Sequence, residues 1–268
     1  MSADALVTDA HGAGLRRATR EDLIGLPAEV APRLLGAELR TRVPTAVAGA
    51  NGALDEHLAA FAEPVEVRLR ITEVEAYHGR GTGPVPDPGS HARMGPTARN
   101  ATMWGRPGHL YVYLSHGIHS CVNVVCSPEG QAGGVLLRAG EVVSGVDAAA
   151  RRRGAAVPLS RTGRRDLARG PGRLGQAVGL RHPLHDGIDL ITGEQLHGAR
   201  AELWLGEPLA DVGSGPRVGV AGVAGTAAFP WRFWIPGEPT VSPFRWGRGA
   251  AEAASLLADS GAGSSVLN

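Results

Sequence analysis

The segment at 64–77, PVEVRLRITEVEAY, constrains the fold of this chain more than any other. Apolar and polar residues alternate over its first half, which is typical of a β-strand with one face in a core and the other toward solvent. The core-facing residues are Val65, Val67, Leu69 and Ile71. The same phase carries Glu73, Glu75 and Tyr77 to the core side unless a bulge intervenes. Carboxylates are rarely buried without a partner or a task, so these glutamates are either paired with a core arginine or part of a functional site.

Other strands follow in the sequence. The runs HLYVYLS at 109–115 and HSCVNVVC at 119–126 predict a hairpin with an exposed tip at 116–119, and GGVLLRAGEVVSG at 133–145 predicts a further strand. Short helices are predicted within 20–39, after Ser144 as the capping residue, and near Pro171. We therefore predict an α+β fold: one compact domain with a curved, mainly antiparallel β-sheet, surrounding short helices and a projecting β-hairpin.

The predicted domain spans residues 21–248. Residues 1–20 and 249–268 are small and polar, which predicts a flexible tail at each end. The stretch 45–63 is rich in Ala and Gly and is predicted to be a surface insertion.

The basic residues exclude several functions. Lysine and arginine number 27 together, and every one is arginine. Without lysine there is no side-chain Schiff base and no phosphate-binding loop that ends in Gly-Lys-Ser/Thr.

Arginines also cluster in one window. From Arg151 to Arg173 there are eight arginines against the single acid Asp166, a formal +7 in a chain whose net charge is +1. Arginines beside a helix that begins near Pro171 indicate phosphate binding, with nucleic acid as the partner. The alternative is a solvated charged face.

Two cysteines, Cys121 and Cys126, are too few for a disulfide framework and lie five apart, on opposite faces of a regular strand. Together with His116 and His119 they raise a metal-dependent hydrolase as an alternative, but the H-x-x-H run lacks the adjacent glutamate of a metalloprotease helix. We expect no metal and no other cofactor. The N-terminus lacks an apolar run of signal-peptide length, and no 18-residue apolar segment occurs, so we expect a cytoplasmic, nucleoid-associated protein without a membrane segment.

Six motifs, in this order and spacing, closely resemble the alkyladenine (3-methyladenine, methylpurine) DNA glycosylase family. They are ITEVEAY, the histidine of SHARMGPTARN, PGHLYVYLSHGIHSCVNVV, GGVLLRAGE, LARGPGRLGQAVGL, and PRVGV through PWRFWI. The resemblance covers about residues 22–245. It implies an enzyme that flips an alkylated or deaminated purine out of duplex DNA and hydrolyses its N-glycosidic bond, leaving an abasic site.

The resemblance also implies roles for individual residues. Glu75 activates the water, Arg138 orients it, and the backbone carbonyl of Val218 is a second anchor. Tyr77 and His91 are expected on one face of the flipped base and Tyr113 on the other. Asn123 crowds the 2-position of the purine, which rejects normal guanine.

DNA contacts outside the pocket are implied for three residues. His116 occupies the hairpin-tip position where vertebrate relatives carry a tyrosine that fills the gap left by the flipped nucleotide. Arg169 and Arg173 are expected to contact phosphates. Because the chain has no lysine, the enzyme is predicted to be monofunctional, without lyase activity. We expect a monomer that acts on double-stranded DNA containing damaged purines, and the alternative is a damaged-DNA binding module without catalysis.

Overall fold

The computed structural model describes residues 7–8, 14–44, 63–155 and 157–262. These residues form an antiparallel sheet in the order β1-β2-β8-β3-β4-β7-β6-β5, and the short strands β9 and β10 extend it from β4. The strands are β1 (Val7–Thr8), β2 (Gly14–Arg17), β3 (Glu38–Pro44), β4 (Pro64–His78), β5 (Leu110–Ser115), β6 (His119–Val125), β7 (Gly133–Ser144), β8 (Arg200–Leu205), β9 (Gly213–Gly215) and β10 (Arg232–Trp234). The predicted α+β class with a mainly antiparallel sheet is confirmed.

Short helices pack around the sheet. In the described residues they are α1 (Arg20–Leu23), α2 (Pro27–Arg33), α3 (Val146–Arg152), α4 (Arg161–Asp166), α5 (Pro171–Val178) and α6 (Ala250–Ala262), with 3-10 turns at Ala101–Trp104 and Gly222–Gly225. Helix α5 lies directly on β6, because a Cβ added to Gly175 would come within 2.2 Å of the Ser120 carbonyl oxygen. None of these helices is long and apolar enough to cross a membrane.

Helix α3 begins differently from the prediction. Its N-cap is Gly145, not Ser144. Gly145 adopts a φ of 74°, and a Cβ there would lie 2.3 Å from the Glu66 carbonyl oxygen, so the close approach to β4 requires glycine at this turn.

A bulge in β4 changes which residues face the core. Ile71 pairs with Gly140 and Glu73 with Ala139, so Thr72 is an extra residue opposite β7. The apolar core continues through Val74 and Ala76, both fully buried. Because side chains alternate along a strand, Glu73, Glu75 and Tyr77 lie on the opposite face. These three residues therefore do not continue the core face, because a bulge intervenes. The predicted burial of the two carboxylates is nevertheless confirmed, since Glu73 and Glu75 are fully buried on the opposite face.

That opposite face of the sheet carries a row of paired residues. Tyr111 of β5 pairs with Asn123 of β6, Asn123 pairs with Leu136 of β7, and Leu136 pairs with Glu75 of β4. Arg232 of β10 then pairs with Glu75. This row crosses five strands and therefore brings polar and aromatic side chains from distant parts of the sequence to one surface.

Both predicted tails contain regular structure where they are described. Gly14–Arg17 pair with β8 as strand β2, because Leu15 is an apolar residue that becomes buried in the fold. At the other end, the alanine-rich segment Ala250–Ala262 forms α6, and Ala250 is fully buried. Residues 1–6, 9–13 and 263–268 of the predicted tails, and 45–62 of the predicted insertion, lie outside the described residues.

Candidate active site

One cavity of about 560 Å³ opens on the polar face of the sheet. This volume is in the range of a pocket for a small organic ligand. Its walls come from β4, β5, β6 and β7, from the loop that carries His91, and from Val218–Ala221. Eight of the residues predicted for the site line this single cavity: Glu75, Tyr77, His91, Tyr113, His116, Asn123, Arg138 and Val218.

Glu75 is the central acid of the cavity. Its side chain is fully buried, and each carboxylate oxygen accepts a short hydrogen bond. The Tyr77 hydroxyl donates to Oε2 over 2.8 Å, and the Val218 backbone N–H donates to Oε1 over 2.7 Å. The guanidinium of Arg138 lies 3.5 Å from Oε1. The structure thus holds the carboxylate rigidly in the cavity wall, and it shows Val218 acting on Glu75 through its N–H group.

Glu73 has a different environment, although it lies only two residues away. Arg232 Nε donates to its Oε1 over 2.6 Å, and Ser242 donates to both of its oxygens. Arg138 Nε is 3.2 Å from the same Oε1. Glu73 is not among the residues that line the cavity. It is therefore the glutamate paired with core arginines, whereas Glu75 is the one presented to the cavity.

Arg138 connects the two acids. Its Nη1 faces Glu75 and its Nε faces Glu73, and Nε also donates to Ser242 Oγ over 3.0 Å. The guanidinium is planar and presents donors in a fixed fork. Its position in the cavity wall is consequently set by groups on β4 and by the segment that contains Ser242.

A buried ion pair lies behind Tyr77. Arg217 has no exposed surface, makes two hydrogen bonds of 2.7 and 2.8 Å to Asp87, and places its Cζ 4.5 Å from the centre of the Tyr77 ring. It also donates to the carbonyls of Ala76 and Ala224. Burial and the nearby charge of Glu75 raise the pKa of Tyr77 well above its usual value of 10.0. The phenol therefore stays protonated and donates a hydrogen bond to the Glu75 carboxylate.

Aromatic rings from β5 face the loop histidine. His91 contacts Tyr113 edge to face, with ring centres 4.6 Å apart and planes at 86°. Its Nδ1 is 3.3 Å from the Tyr111 hydroxyl, and Tyr111 stacks on Tyr113 with centres 5.4 Å apart. Burial raises the pKa of Tyr111 to about 12. Partial burial and the charges of Arg99 and Arg93 lower the pKa of His91 from its usual value of 6.5, which favours the neutral imidazole.

The predicted separation of His91 and Tyr113 is not present in the structure. A flat ring between two others needs about 7 Å, which is twice a carbon–carbon contact distance. His91 and Tyr113 are in direct contact, so they do not form opposite sides of an open slot.

Asn123 and Cys121 complete the floor of the cavity. The Asn123 side-chain amide donates to the Tyr111 carbonyl over 3.0 Å, which fixes it next to the aromatic rings. Cys121 lines the cavity and Cys126 lies in the apolar core; both are free thiols. Burial raises the pKa of both thiols.

The hairpin tip projects as predicted. Strand β5 ends at Ser115, which pairs with His119, the first residue of β6. The exposed turn between them consists of His116, Gly117 and Ile118. His116 adopts a left-handed backbone with a φ of 51°, and its Nδ1 lies 3.0 Å from Ser115 Oγ. Because His116 also lines the cavity, the exposed tip stands at the cavity mouth.

The arginine window does not form one uniform patch. Arg152 donates to three backbone carbonyls, those of Ala177, Val43 and Val65, and so serves the packing of α3. Arg169 donates to the Val241 carbonyl over 2.9 Å and lies 3.7 Å from Asp166. Arg173 is exposed on α5, which begins at Pro171 as predicted. Neither Arg169 nor Arg173 lines the cavity, although Pro171 does.

The structure offers no support for the metal-dependent alternative. Within the ranges that the structure describes, no three side chains of His, Cys, Asp or Glu gather around a common point. His119 packs instead against α5, since a Cβ on Gly172 would lie 2.8 Å from the His119 Cβ.

Several residues of the site were not identified from the sequence. Tyr111 could have been found, because it lies two residues before Tyr113 and so shares its strand face. Arg217 and Asp87 gave no such signal, since they are 130 residues apart in the chain. The same is true of Ser242, which meets Glu73 across 169 residues.

A buried, hydrogen-bonded carboxylate among aromatic rings, in a cavity on one face of an antiparallel sheet, is typical of an enzyme active site. Comparison with known proteins gives the family. Residues 44–239 match the methylpurine-DNA glycosylase family, and this chain belongs to that family.

Three bacterial relatives carry the name "Putative 3-methyladenine DNA glycosylase". The protein of Leifsonia xyli subsp. xyli is 47% identical over 226 residues, which are 84% of this chain and 92% of the relative. That of Nocardia farcinica is 43% identical over 238 residues, 89% of this chain and 96% of the relative. That of Streptomyces avermitilis is 43% identical over 229 residues, which are 85% of this chain and 91% of the relative.

Proposed function

We propose that this DNA glycosylase removes alkylated or deaminated purines, such as 3-methyladenine and hypoxanthine, that are flipped out of duplex DNA into the cavity. Water attacks C1′ of the deoxyribose, the C1′–N9 bond breaks, and the products are the free base and an abasic site. The observation that carries the proposal is the buried Glu75 carboxylate, held in the cavity wall by Tyr77 and Val218. The names of the relatives support the substrate class.

The cavity residues have complementary roles in this reaction. Glu75 takes the proton of the attacking water, and its negative charge stabilises the positive charge that develops on the sugar. Arg138 and the Val218 carbonyl orient the water. The Tyr77, His91 and Tyr113 rings contact the base, and Asn123 leaves no room for an exocyclic amine at the purine 2-position.

Contacts outside the cavity position the DNA. The exposed ring of His116 fills the gap in the base stack, and Arg169 and Arg173 contact phosphates. Such phosphate contacts fix the register of the protein on the duplex but carry no sequence information.

A single-turnover assay tests the proposal. Duplexes with one hypoxanthine or one 3-methyladenine, and a matched undamaged duplex, are incubated with excess protein, and free base is measured by chromatography. We expect release from the damaged duplexes alone. Selective binding without release would instead establish the non-catalytic binding module, and release of normal guanine would contradict the role given to Asn123.

We also propose that the enzyme is monofunctional. A lyase step through an imine needs an amine, and the chain contains no lysine side chain. Borohydride added during turnover should trap no covalent protein–DNA complex through a side-chain amine. The abasic product should stay uncut until alkali is added, and strand cleavage before alkali would contradict the proposal.

A further inference from the structure

An exposed segment of alternating aromatic and basic residues lies next to the cavity. The segment Pro243–Arg248 reads PFRWGR, and it follows the part of the chain that matches the family. Phe244 is 36% exposed and Trp246 is 48% exposed, and their rings meet edge to face with centres 4.9 Å apart. The two rings are nearly perpendicular, at 81°, and the guanidinium of Arg232 lies 6.0 Å from the centre of the Phe244 ring, so each ring keeps part of its apolar surface exposed. We name residues 243–248 the aromatic–arginine segment.

The backbone of this segment is fixed to the cavity wall. The Gly219 N–H donates to the Arg245 carbonyl, and the Gly222 N–H donates to the Arg248 carbonyl, each over 2.9 Å. Gly219 and the residues beside it line the cavity. Between these two hydrogen bonds the two backbone segments are in close contact, since a Cβ on Gly247 would lie 2.1 Å from the Val220 carbonyl oxygen. Immediately before the segment, Ser242 is bonded to Glu73. The backbone is therefore well anchored while the side chains remain at the surface.

The charge of the surface fits a polyanion. Arg245 and Arg248 are both exposed, and no acid occurs between Val241 and Ala251. Arg169 donates to the carbonyl of Val241, which joins the segment to the arginine-rich window that ends at Arg173. Flat aromatic faces interleaved with arginines are suited to nucleic-acid strands, because the rings pack on sugars or bases and the guanidinium groups contact phosphates.

We propose that the aromatic–arginine segment is a second DNA-binding site, which holds the backbone of the duplex on one side of the lesion. Phe244 and Trp246 pack against deoxyribose faces or a frayed base, and Arg245 and Arg248 contact the adjacent phosphates. The site contributes to binding of damaged and undamaged duplex alike, since it touches no lesion-specific group. This inference rests on the proposed action on duplex DNA.

The first test measures equilibrium binding to damaged and undamaged duplexes. We expect the double variant Phe244→Ala/Trp246→Ala to bind both at least about tenfold more weakly, because loss of aromatic stacking on a nucleotide has an effect of this order. Trp246→Phe should retain most of the affinity, which separates ring contact from a folding defect. Leu256→Gln is the matched control, because Leu256 is an apolar residue that is 71% exposed on α6 and is not part of the segment.

The second test measures how affinity depends on salt. Arg245→Gln/Arg248→Gln should reduce the slope of log affinity against log salt concentration by about 2, as expected for two lost phosphate contacts. Arg42→Gln, at an exposed arginine on β3, should leave the slope unchanged.

The third test locates the contact. Duplexes with the lesion near one end or near the other are compared, so that each flank is shortened in turn. If the segment holds one flank, the alanine double variant and the wild type should bind equally well once that flank is removed. A difference that persists whichever flank is shortened would overturn the assignment to one flank.

Two results overturn the proposal as a whole. One is unchanged affinity and salt slope in both double variants. The other is a changed sedimentation coefficient with unchanged DNA affinity, which would identify the segment as a contact between protein molecules. Failure of the proposed function is distinguishable, because it would show as absent base release by the wild-type protein while duplex binding still reports on the segment.

Discussion

Replacement of Asp87 by Asn should destabilise the protein strongly. Asp87 and Arg217 form a fully buried pair with two hydrogen bonds, so the substitution leaves the guanidinium charge without its counter-ion. Breaking a buried pair from one side costs about 3–5 kcal/mol. This is a large fraction of the roughly 5–15 kcal/mol that stabilise a typical domain. At roughly 2–4 °C per kcal/mol, the melting temperature should fall by about 6–20 °C.

The same substitution should lower activity at temperatures where the variant is still folded. Asp87 accepts the N–H groups of His78 and Gly89, and Gly89 lines the cavity. Its partner Arg217 packs on the Tyr77 ring and immediately precedes Val218, whose N–H group holds Glu75. Loosening this pair therefore disturbs three walls of the cavity together.

Urea unfolding of the single and double variants measures the effect. Arg217→Met alone should lower the free energy of unfolding by a similar amount. The loss in the double variant Asp87→Asn/Arg217→Met should be clearly smaller than the sum of the two single losses. Glu66→Gln is the control, because Glu66 pairs with Arg68 at the surface and such pairs contribute at most about 1 kcal/mol. A loss below about 1 kcal/mol for Asp87→Asn, or strict additivity in the cycle, would refute this reasoning.

Three further predictions concern other parts of the molecule. His116→Ala should weaken lesion binding by about one to two powers of ten while His116→Tyr binds at least as well as the wild type; unchanged 2-aminopurine fluorescence beside the lesion in the alanine variant would contradict the wedge role. Charge reversal at Arg169 and Arg173 should weaken binding to damaged and undamaged duplex alike and flatten its salt dependence, and a loss of lesion selectivity at unchanged affinity would contradict it. Burial lowers the pKa of His185 from 6.5 to about 4. Between pH 6.5 and pH 4 the imidazole is therefore protonated in the unfolded chain but not in the folded protein. Stability to urea should therefore fall as pH drops from about 6.5 toward 4, and less so in His185→Gln; equal slopes in the two proteins would assign the effect elsewhere.

The sequence alone predicted where the strands lie in the chain better than it predicted which side chains face the core. Alternation from Val65 to Ile71 identified β4, and the apolar runs on either side of Gly117 identified the hairpin. The bulge at Thr72 could not be predicted, because it depends on the register with β7 and no glycine or proline marks it in β4. It reverses the face of every later residue in the strand.

The candidate site was predictable only in part, for a related reason. Residues within recognisable motifs, such as Glu75, Tyr113 and Arg138, were identified and lie together in one cavity. Their supporting contacts depend on tertiary packing between distant segments. Ser242 reaches Glu73 from near the end of the chain, and no local pattern in the sequence reports such a contact.

The tails show how weak composition is as a guide to disorder. The small residues after Gly249 were interpreted as a tail, yet alanine is also the strongest helix former, and Ala250–Ala262 form a helix. In the same way, Leu15 is a single apolar residue in a polar stretch, but its burial accompanies the pairing of β2 with β8.

Base release by Glu75→Gln compared with Glu73→Gln tests the central claim most directly. Both residues are buried glutamates of β4, but only Glu75 lines the cavity, whereas Glu73 is paired with Arg232. In single-turnover reactions on a hypoxanthine duplex, Glu75→Gln should release base at least about a hundredfold more slowly than wild type while it still binds the duplex. Glu73→Gln, once shown to be folded, should retain measurable release. Release near the wild-type rate by Glu75→Gln, with release abolished in folded Glu73→Gln, would contradict the account and move the catalytic role to Glu73.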